Sequence, residues 1–381
     1  MRLFSTLQHS ASRCLIVSAL LLSMNGVAVA ASPDRQPVGD NEWKQHVNSG
    51  TVRIITKGLG CTCTAIASDM ARVLNDMGDL RVLPVIGHGS LQGIADVMYL
   101  KGIDLSILQS DVLAYVKRNR IHPNIDNKVR YVTKLYNSEL HLVAGQGIRT
   151  IQDLHGKPVS FDVKGRGAAI TAQNVFDAMG IVPIRLHLER DVAIQKIRTG
   201  EIAAAFVVTG KPADSMLAVE PGNGLHFVSI PYVPVLAETY LPSKLTHEDY
   251  PNLIAQGQVV DTIAVGEVLA VYNWAPNSER YKKLERFVGE FFSNFAEFMD
   301  PVRHRKWREV NLTAQLPGWQ RFGPAQNWLD NNVPASGAPL ANLRTKFQQF
   351  LAESNYGPAS GARSQDELFQ AFLKWASQNQ Q

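Results

Sequence analysis

The sequence predicts an α/β fold built from two sets of strand–loop–helix units. Short β-branched runs alternate with stretches whose apolar residues recur at helical spacing, and polar or glycine-containing loops lie between them. This alternation is typical of a mainly parallel sheet with ligand loops at the carboxyl ends of its strands. About 350 residues remain once an N-terminal leader is set aside, which is room for two domains.

Residues 1–30 have the features of a secretory signal peptide. Arg2 and Arg13 precede the apolar run 15–22, and the small residues 28–30 come before a cut at Ala31. The apolar run is too short to span a bilayer, although an anchor that is never cut is the alternative. We therefore expect a soluble, exported, periplasmic protein. Residues 31–50 are expected to be a leader without structure.

The charge of the mature chain is nearly balanced. Without Arg2 and Arg13 the formal net charge is about +2. Such a surface argues against nucleic acid as a partner. No motif for a nucleotide (GxGxxG or GxxxxGK[ST]) or for a serine nucleophile (GxSxG) occurs, so we predict neither a cofactor nor an enzyme.

The first unit, residues 52–77, contains a short β-branched strand, a turn at Gly58 and Gly60, and a helix. Its helical part is indicated by apolar residues at Ile66, Met70, Val73, Leu74 and Met77. A strand that enters a helix through Gly-x-Gly exposes free backbone N–H groups at the sheet edge. That edge is a natural anion site.

The remaining elements follow in the same style. The first set continues with strands at 81–87 and 103–108, and the second set has strands at 157–163, 184–188 and 203–208, each with its helix. Residues 129–144 are predicted as two strands with a turn at Asn137–Ser138, and 259–272 as a strand that returns to the first sheet. Beyond residue 300, helices at 303–310, 343–351 and 366–376 are expected to pack on the outside.

Several motifs, in this order, resemble those of the TAXI subfamily of TRAP-transporter solute receptors. They are ITKGLGCT (55–62), Gly89-Ser90, DLSILQSD (104–111), Gly165-Arg166-Gly167 and FVVTGKP (206–212). The resemblance covers roughly residues 50–300. It implies a type II-like periplasmic-binding-protein fold whose two lobes close on a small organic anion, a carboxylate or amino acid, and deliver it to a membrane permease. A monomer is expected.

The resemblance also implies domain boundaries and a site. Lobe 1 would comprise 51–145 and 259–330, lobe 2 would comprise 146–240, the hinge or connection 241–258, and a C-terminal helical extension 331–381. The ligand-binding residues carried over to this sequence, with neighbouring polar residues, are Gly60, Cys61, Thr62, Cys63, Thr64, Ser90, Gln109, Ser110, Gly165, Arg166, Gly167, Ala168, Thr209, Lys211 and Tyr240.

Arg166 departs from the family pattern, which has a neutral hydroxyl at this helix start. A cation is unfavourable beside the positive end of a helix, so its presence suggests that it binds a carboxylate or phosphate. A solvated loop arginine is the alternative. Lys211 is a candidate for a second positive charge. The hydroxyls of Thr62, Thr64, Ser90 and Ser110 are expected to cap helices, to contact the ligand, or both.

Cys61 and Cys63 leave three interpretations open. They are two small apolar fillers of a tight loop, a strained redox-active pair whose disulfide would form in an oxidising compartment, or soft ligands for copper or zinc. No cysteine or histidine nearby has metal spacing, which disfavours the metal site. Two other functions remain as alternatives: an exported redox or metal-handling protein that uses these cysteines, and a ligand sensor that has lost transport.

Overall fold

The computed structural model describes residues 39–75, 80–220, 222 and 224–333. The predicted signal peptide and the predicted helices at 343–351 and 366–376 lie outside the described residues. The chain divides into two compact units, and the second begins at Lys44. Helix α1 (Asp40–Ser49) covers much of the stretch that was expected to have no structure. All contacts given below belong to the second unit.

The described residues of the second unit form one mixed sheet flanked by helices. Its strands are β1 (Thr51–Thr56), β2 (Arg81–Ile86), β3 (Leu105–Gln109), β4 (Val129–Ala144), β5 (Pro158–Ser160), β6 (Ile184–Leu186), β7 (Ala204–Thr209), β8 (His226–Phe227), β9 (Leu241–Thr246) and β10 (Val259–Tyr272). The main strand order is β2-β1-β3-β10-β4-β7-β5-β6, while β8 pairs with β4 and β9 with β10.

The helices alternate with the strands along the chain. They are α2 (Thr62–Leu74), α3 (Ser90–Tyr99), α4 (Asp111–Arg118), α5 (Ile125–Lys128), α6 (Gly167–Ala178), α7 (Arg190–Arg198), α8 (Asp214–Leu217), α9 (Pro234–Ala237), α10 (Glu279–Ser293) and α11 (Gly323–Asn332). Short 3₁₀ segments lie at Ile151–Leu154, Phe295–Met299 and Arg305–Glu309. No described helix is both long enough and apolar enough to cross a membrane.

The sheet contains two parallel groups of strands joined by two long antiparallel ones. Strands β1, β2 and β3 are parallel, as are β5, β6 and β7. Between the groups, β10 pairs antiparallel with both β3 and β4, and β4 pairs antiparallel with β7. The α/β fold class with two sets of mainly parallel units is therefore confirmed.

Each parallel group buries apolar side chains on both of its faces. Around the first group, β1 and α2 pack against the phenylalanines of α10, and α3 and α4 cover the opposite face. Around the second group, Phe161, Phe176 and Phe206 lie on the α6 face, and Ile194 of α7 lies on the other. These cores fix the positions of the loops at the carboxyl ends of the strands.

Two predicted elements are wrong. Residues 129–144 form one continuous strand, because Asn137 and Ser138, the expected turn, pair with Gly266 and Val265 of β10. The segment at 303–310 does not pack on the outside either. Trp307 is fully buried in the core with α2 and α10, and its indole donates to the carboxylate of Asp69.

Candidate functional site

The carboxyl ends of the two parallel groups face each other, and their loops are in contact. The hydroxyls of Thr62 and Thr209 lie 3.5 Å apart, and the backbone N–H of Leu91 donates to the carbonyl oxygen of Gly165 at 3.4 Å. We call this region the loop junction: the residues after β1, β2 and β3 together with those after β5 and β7. It brings together residues far apart in sequence, as a binding site requires.

Three predicted site residues meet at the centre of the loop junction. Ser90 donates to Oε1 of Gln109 at 3.2 Å, and Nε2 of Gln109 donates to the hydroxyl of Thr171 at 3.3 Å. A Cβ atom at Gly167 would lie 1.3 Å from Oε1 of Gln109. Only glycine therefore allows this approach between the first turn of α6 and the end of β3.

Asp111 links the first group of strands to the second at the side of the loop junction. Its Oδ2 accepts hydrogen bonds from Thr171 at 2.7 Å and from Tyr240 at 3.0 Å. Its Oδ1 has no partner among the described residues. Burial raises the pKa of Asp111 to about 6, because desolvation outweighs the two hydrogen bonds. Burial also raises the pKa of Tyr240.

Acidic and basic side chains form a charged cluster where β4 and β10 pass the loop junction. It consists of Lys57, Lys134, Glu139, Glu267, Lys306 and Glu309. Lys57 forms an ion pair with Glu267, which also accepts a hydrogen bond from Ser138 at 2.6 Å. Lys306 contacts Oε1 of Glu139 at 2.7 Å and Oε1 of Glu309 at 2.6 Å.

Glu139, Glu267 and Lys306 of the cluster are buried, whereas Lys57 and Lys134 are half-buried and Glu309 is exposed. Burial shifts the ionisation of two of the members. Burial raises the pKa of Glu139, although the ion pair with Lys306 opposes the shift. Burial lowers the pKa of Lys134 to about 8. Glu267 stands at a β-bulge, opposite both Leu135 and Tyr136 of β4. Bulges often lie beside active or binding sites, where they redirect a side chain.

The two predicted cationic anchors are engaged with acidic residues of the chain. The guanidinium of Arg166, the N-cap residue of α6, contacts both carboxylate oxygens of Glu189 at 2.8 and 3.0 Å and also Asp162. The ammonium of Lys211 contacts Asp249 at 2.8 Å, while its backbone N–H donates to Glu139. A ligand would have to displace these carboxylates to bind either side chain directly.

The predicted capping role of the hydroxyls is wrong. Cys61 and Gly89 are the N-cap residues of α2 and α3, and neither Ser110 nor these two makes a side-chain cap bond. Thr64 instead donates to the carbonyl oxygen of Gly58 at 2.9 Å, which closes the glycine turn. The remaining predicted residues, Gly60 and Ala168, belong to the glycine turn and to the first turn of α6.

Cys61 and Cys63 form a disulfide at the start of α2. Cys63 is fully buried, and its sulfur accepts a hydrogen bond from the backbone N–H of Lys57 at 3.3 Å. The structure thus contradicts the interpretations as free fillers and as metal ligands, because a disulfide offers no thiolate. Among the described residues, no group of histidine, cysteine and acidic side chains could hold a metal ion.

Comparison with protein-family models gives a match to the NMT1-like family over residues 56–300. This chain belongs to that family. The match begins at Thr56, the last residue of β1, and runs through α10 and the 3₁₀ segment that follows it, so it includes β2, β3, the second parallel group and the loop junction.

Solved structures similar to this NMT1-like chain include three transport-related proteins. "Structure of a periplasmic transporter" has 13% identity, 80% and 97% coverage of the two chains, and a TM-score of 0.44. A TctC solute-binding protein from Polaromonas has 14% identity, 68% and 86% coverage, and a TM-score of 0.40. An amino acid ABC transporter substrate-binding protein from Streptococcus pneumoniae, bound to L-arginine, has 13% identity, 70% and 98% coverage, and a TM-score of 0.38. The family assignment rests on the family model.

The charged cluster of this NMT1-like chain was not predicted from its sequence. Glu267 is the one charged residue in the apolar run 263–272. A single charged residue in an apolar strand indicates a buried charge, so Glu267 could have been identified from the sequence. Lys57 lies inside a motif that was singled out for its glycines and threonines. Lys306 was missed because its segment was assigned to the outside of the molecule.

Proposed function

We propose that this NMT1-like protein is an extracytoplasmic solute receptor of the TRAP type, TAXI subfamily, and that it binds a small organic anion. In this proposal the two parallel groups are the cores of two lobes, and β4 and β10 connect them. The loop junction is then the closed form of a cleft between the lobes. The protein would act as a periplasmic monomer, without catalysis, and would present its closed form to a membrane permease.

The observation that carries the proposal is the direct contact of the loops from both groups around buried charges. Thr62 meets Thr209, Leu91 meets Gly165, and Gln109 meets Gly167. A solute held between these loops would contact both groups of strands, away from water, only when the lobes are closed. It would therefore bind the closed form much more tightly than the open form. Such a difference is what shifts a hinge equilibrium when a solute binds.

The chemistry of the loop junction suits an anionic solute with hydrogen-bonding groups. The first turns of α2, α3 and α6 direct backbone N–H groups toward this edge of the sheet. Serine, threonine and glutamine side chains supply neutral donors and acceptors at the same place. The predicted residues Arg166 and Lys211 stay in the proposed site as cations at its rim, where each forms an ion pair with an acidic residue of the chain.

A thermal-shift screen tests the proposal. The mature protein is unfolded and refolded to remove bound solutes, then tested with amino acids, dicarboxylates, other organic anions, copper and zinc. We expect a rise in melting temperature with at least one organic acid, because a ligand that binds only the folded state stabilises it.

Two results would contradict the receptor. A response to copper or zinc alone that depends on Cys61 and Cys63 would favour the metal-handling alternative. If circular dichroism shows that the protein is folded and no acid or metal raises its melting temperature, a function as a small-anion receptor would be excluded. A response to an acid in a protein that no permease recognises would favour the sensor that has lost transport.

A further inference from the structure

Lys134 differs from the other cations around the loop junction in that its ammonium contacts no carboxylate of the described residues. Lys57, Lys306, Arg166 and Lys211 each contact at least one carboxylate. The ammonium of Lys134 forms neither an ion pair nor a hydrogen bond with any of the described residues. Burial lowers the pKa of this lysine, while the carboxylates of Glu309, Glu139 and Glu267 act on it without touching it, so its ammonium is available to an anion from outside the chain.

The surroundings of Lys134 include the hydroxyl of Ser110, which forms no hydrogen bond within the part of the chain that the structure describes. Lys134 pairs with Val268 across β4 and β10, beside the bulge. A Cβ atom at Gly266 would lie 3.2 Å from Cε of Lys134 and 3.5 Å from Oγ of Ser110. The lysine stem and the serine hydroxyl therefore flank the same glycine. Ser110 is the N-cap residue of α4, yet its side chain makes no cap bond.

An unpaired acceptor lies in the same charged cluster. Oε1 of Glu267 accepts from Lys57 and Ser138, while Oε2 is buried without a partner among the described residues. Glu267 is fully buried, so this oxygen has a strong requirement for a donor. The region therefore offers a free ammonium and a free hydroxyl for an anion, and a free carboxylate oxygen for a donor.

We propose that Lys134 and Ser110 bind the carboxylate of the solute, and that the solute is a monocarboxylate carrying a hydrogen-bond donor for Glu267. This rests on the proposed receptor function and names the ligand class of the same site. One carboxylate matches the site because Lys57 and Lys306 already contact Glu267, Glu139 and Glu309, which leaves Lys134 as the cation of the cluster that contacts no carboxylate of the described residues. A second carboxylate would have to break one of those ion pairs.

The proposal predicts a pH dependence of binding. The charged groups that act on Lys134 are Glu139 on β4, Glu267 on β10, and Lys306 and Glu309 on the 3₁₀ segment. Burial lowers the pKa of Lys134 to about 8. A bound carboxylate favours the charged ammonium, so the solute binds the protonated protein more tightly. Affinity is constant well below pH 8 and falls as the pH rises through about 8.

Calorimetric titration of the mature protein with propionate, lactate and succinate tests the proposal. At pH 7 we expect the wild type to bind lactate more tightly than propionate, and succinate no more tightly than propionate. Lys134→Met weakens lactate binding by on the order of ten- to a hundredfold, as the loss of a charged hydrogen bond requires. Ser110→Ala weakens it less.

Matched variants separate a binding role from a structural one. Lys101→Met removes the same charge from an exposed lysine in the turn between α3 and β3, outside the loop junction, and leaves lactate affinity unchanged. Lys134→Arg retains binding but loses the fall in affinity above pH 8, because a guanidinium stays charged. Circular dichroism at each pH confirms that every variant is folded.

The contrary results distinguish a failure of this inference from a failure of the receptor function. Equal lactate affinity in Lys134→Met and the wild type overturns the role of Lys134 but leaves the receptor function standing. So does a fall in affinity above pH 8 that persists in Lys134→Arg. Succinate binding more than about tenfold tighter than propionate overturns the monocarboxylate class. A wild type that binds no organic acid of the wider screen overturns the receptor function and this inference together.

Discussion

The loop junction carries charge in two contrasting ways. In the charged cluster, Lys306 and Glu139 are 2% and 4% exposed, and their ion pair lies against the core. At the rim, Arg166 and Glu189 are 31% and 60% exposed, and their ion pair faces solvent. The rim pair has the better geometry, with two parallel contacts, but water screens it. The comparison teaches that burial, rather than the number of contacts, decides which charges control stability and binding.

The largest expected effect is on the buried side of this comparison. Lys306→Met should lower the free energy of unfolding by about 3–5 kcal/mol, because it leaves Glu139 buried without its cation. Urea denaturation at neutral pH measures the change. Combining it with Glu139→Gln should recover part of the loss. A loss below about 1 kcal/mol would mean that the buried pair behaves like a surface pair.

The second prediction concerns Asp111, whose pKa in the folded protein, about 6, exceeds the ordinary value of 3.8. The folded chain holds this proton more strongly than the unfolded chain does. Its contribution to stability is complete below about pH 4 and is lost as the pH rises through about 6, by about 3 kcal/mol in total. The difference in unfolding free energy between wild type and Asp111→Asn, measured from pH 4 to 7, isolates it.

A flat difference across that pH range would show that Asp111 is ionised and well solvated in the folded protein. Its bonds with Thr171 and Tyr240 would then be weaker than the structure indicates. Asp111 would then behave like the solvent-exposed rim pair rather than like the buried pair of Lys306 and Glu139.

The third prediction sharpens the account of the contact between the two groups of strands. Gly167→Ala should destabilise the protein by about 1–3 kcal/mol, because the new methyl group overlaps Gln109. Gly289→Ala in α10 is the control. Nothing lies within 4 Å of its Cβ position, and alanine favours a helix. Equal unfolding free energies for the two variants would contradict the close approach at Gly167.

The smallest effect is expected at the rim. Glu189→Gln should change the free energy of unfolding by less than about 1 kcal/mol, because the pair that it breaks is solvent-exposed. The effect should shrink further as salt is added. A loss comparable to that of Lys306→Met would contradict the division into a buried and a rim pair.

The sequence was sufficient for the fold class because apolar periodicity and glycine turns report local structure directly. The units around Gly58 and Gly165 and the strand at 203–208 have observed counterparts within a few residues. The turn expected at Asn137–Ser138 failed for a different reason. Polar residues in a strand resemble a turn when the partner strand, more than a hundred residues away in β10, is not considered.

The site was harder to predict because its residues are selected by tertiary contacts. Motifs indicated Thr62, Ser90, Gln109 and Gly167, which do meet at the loop junction. Arg166 was emphasised because it breaks a local rule, yet its partner Glu189 lies 23 residues further along the chain. Nothing in the sequence pattern indicated that Lys134 belongs to the site, because lysines are common in strands that are half exposed.

Isothermal titration calorimetry of the refolded mature protein with small organic acids tests the central claim most directly. The account predicts saturable binding of one monocarboxylate per chain at pH 7, with a dissociation constant of about 10 μM or lower. Folded protein that gives no heat of binding with any organic acid, at 25 °C and again at a second temperature, would contradict the claim that this is a solute receptor.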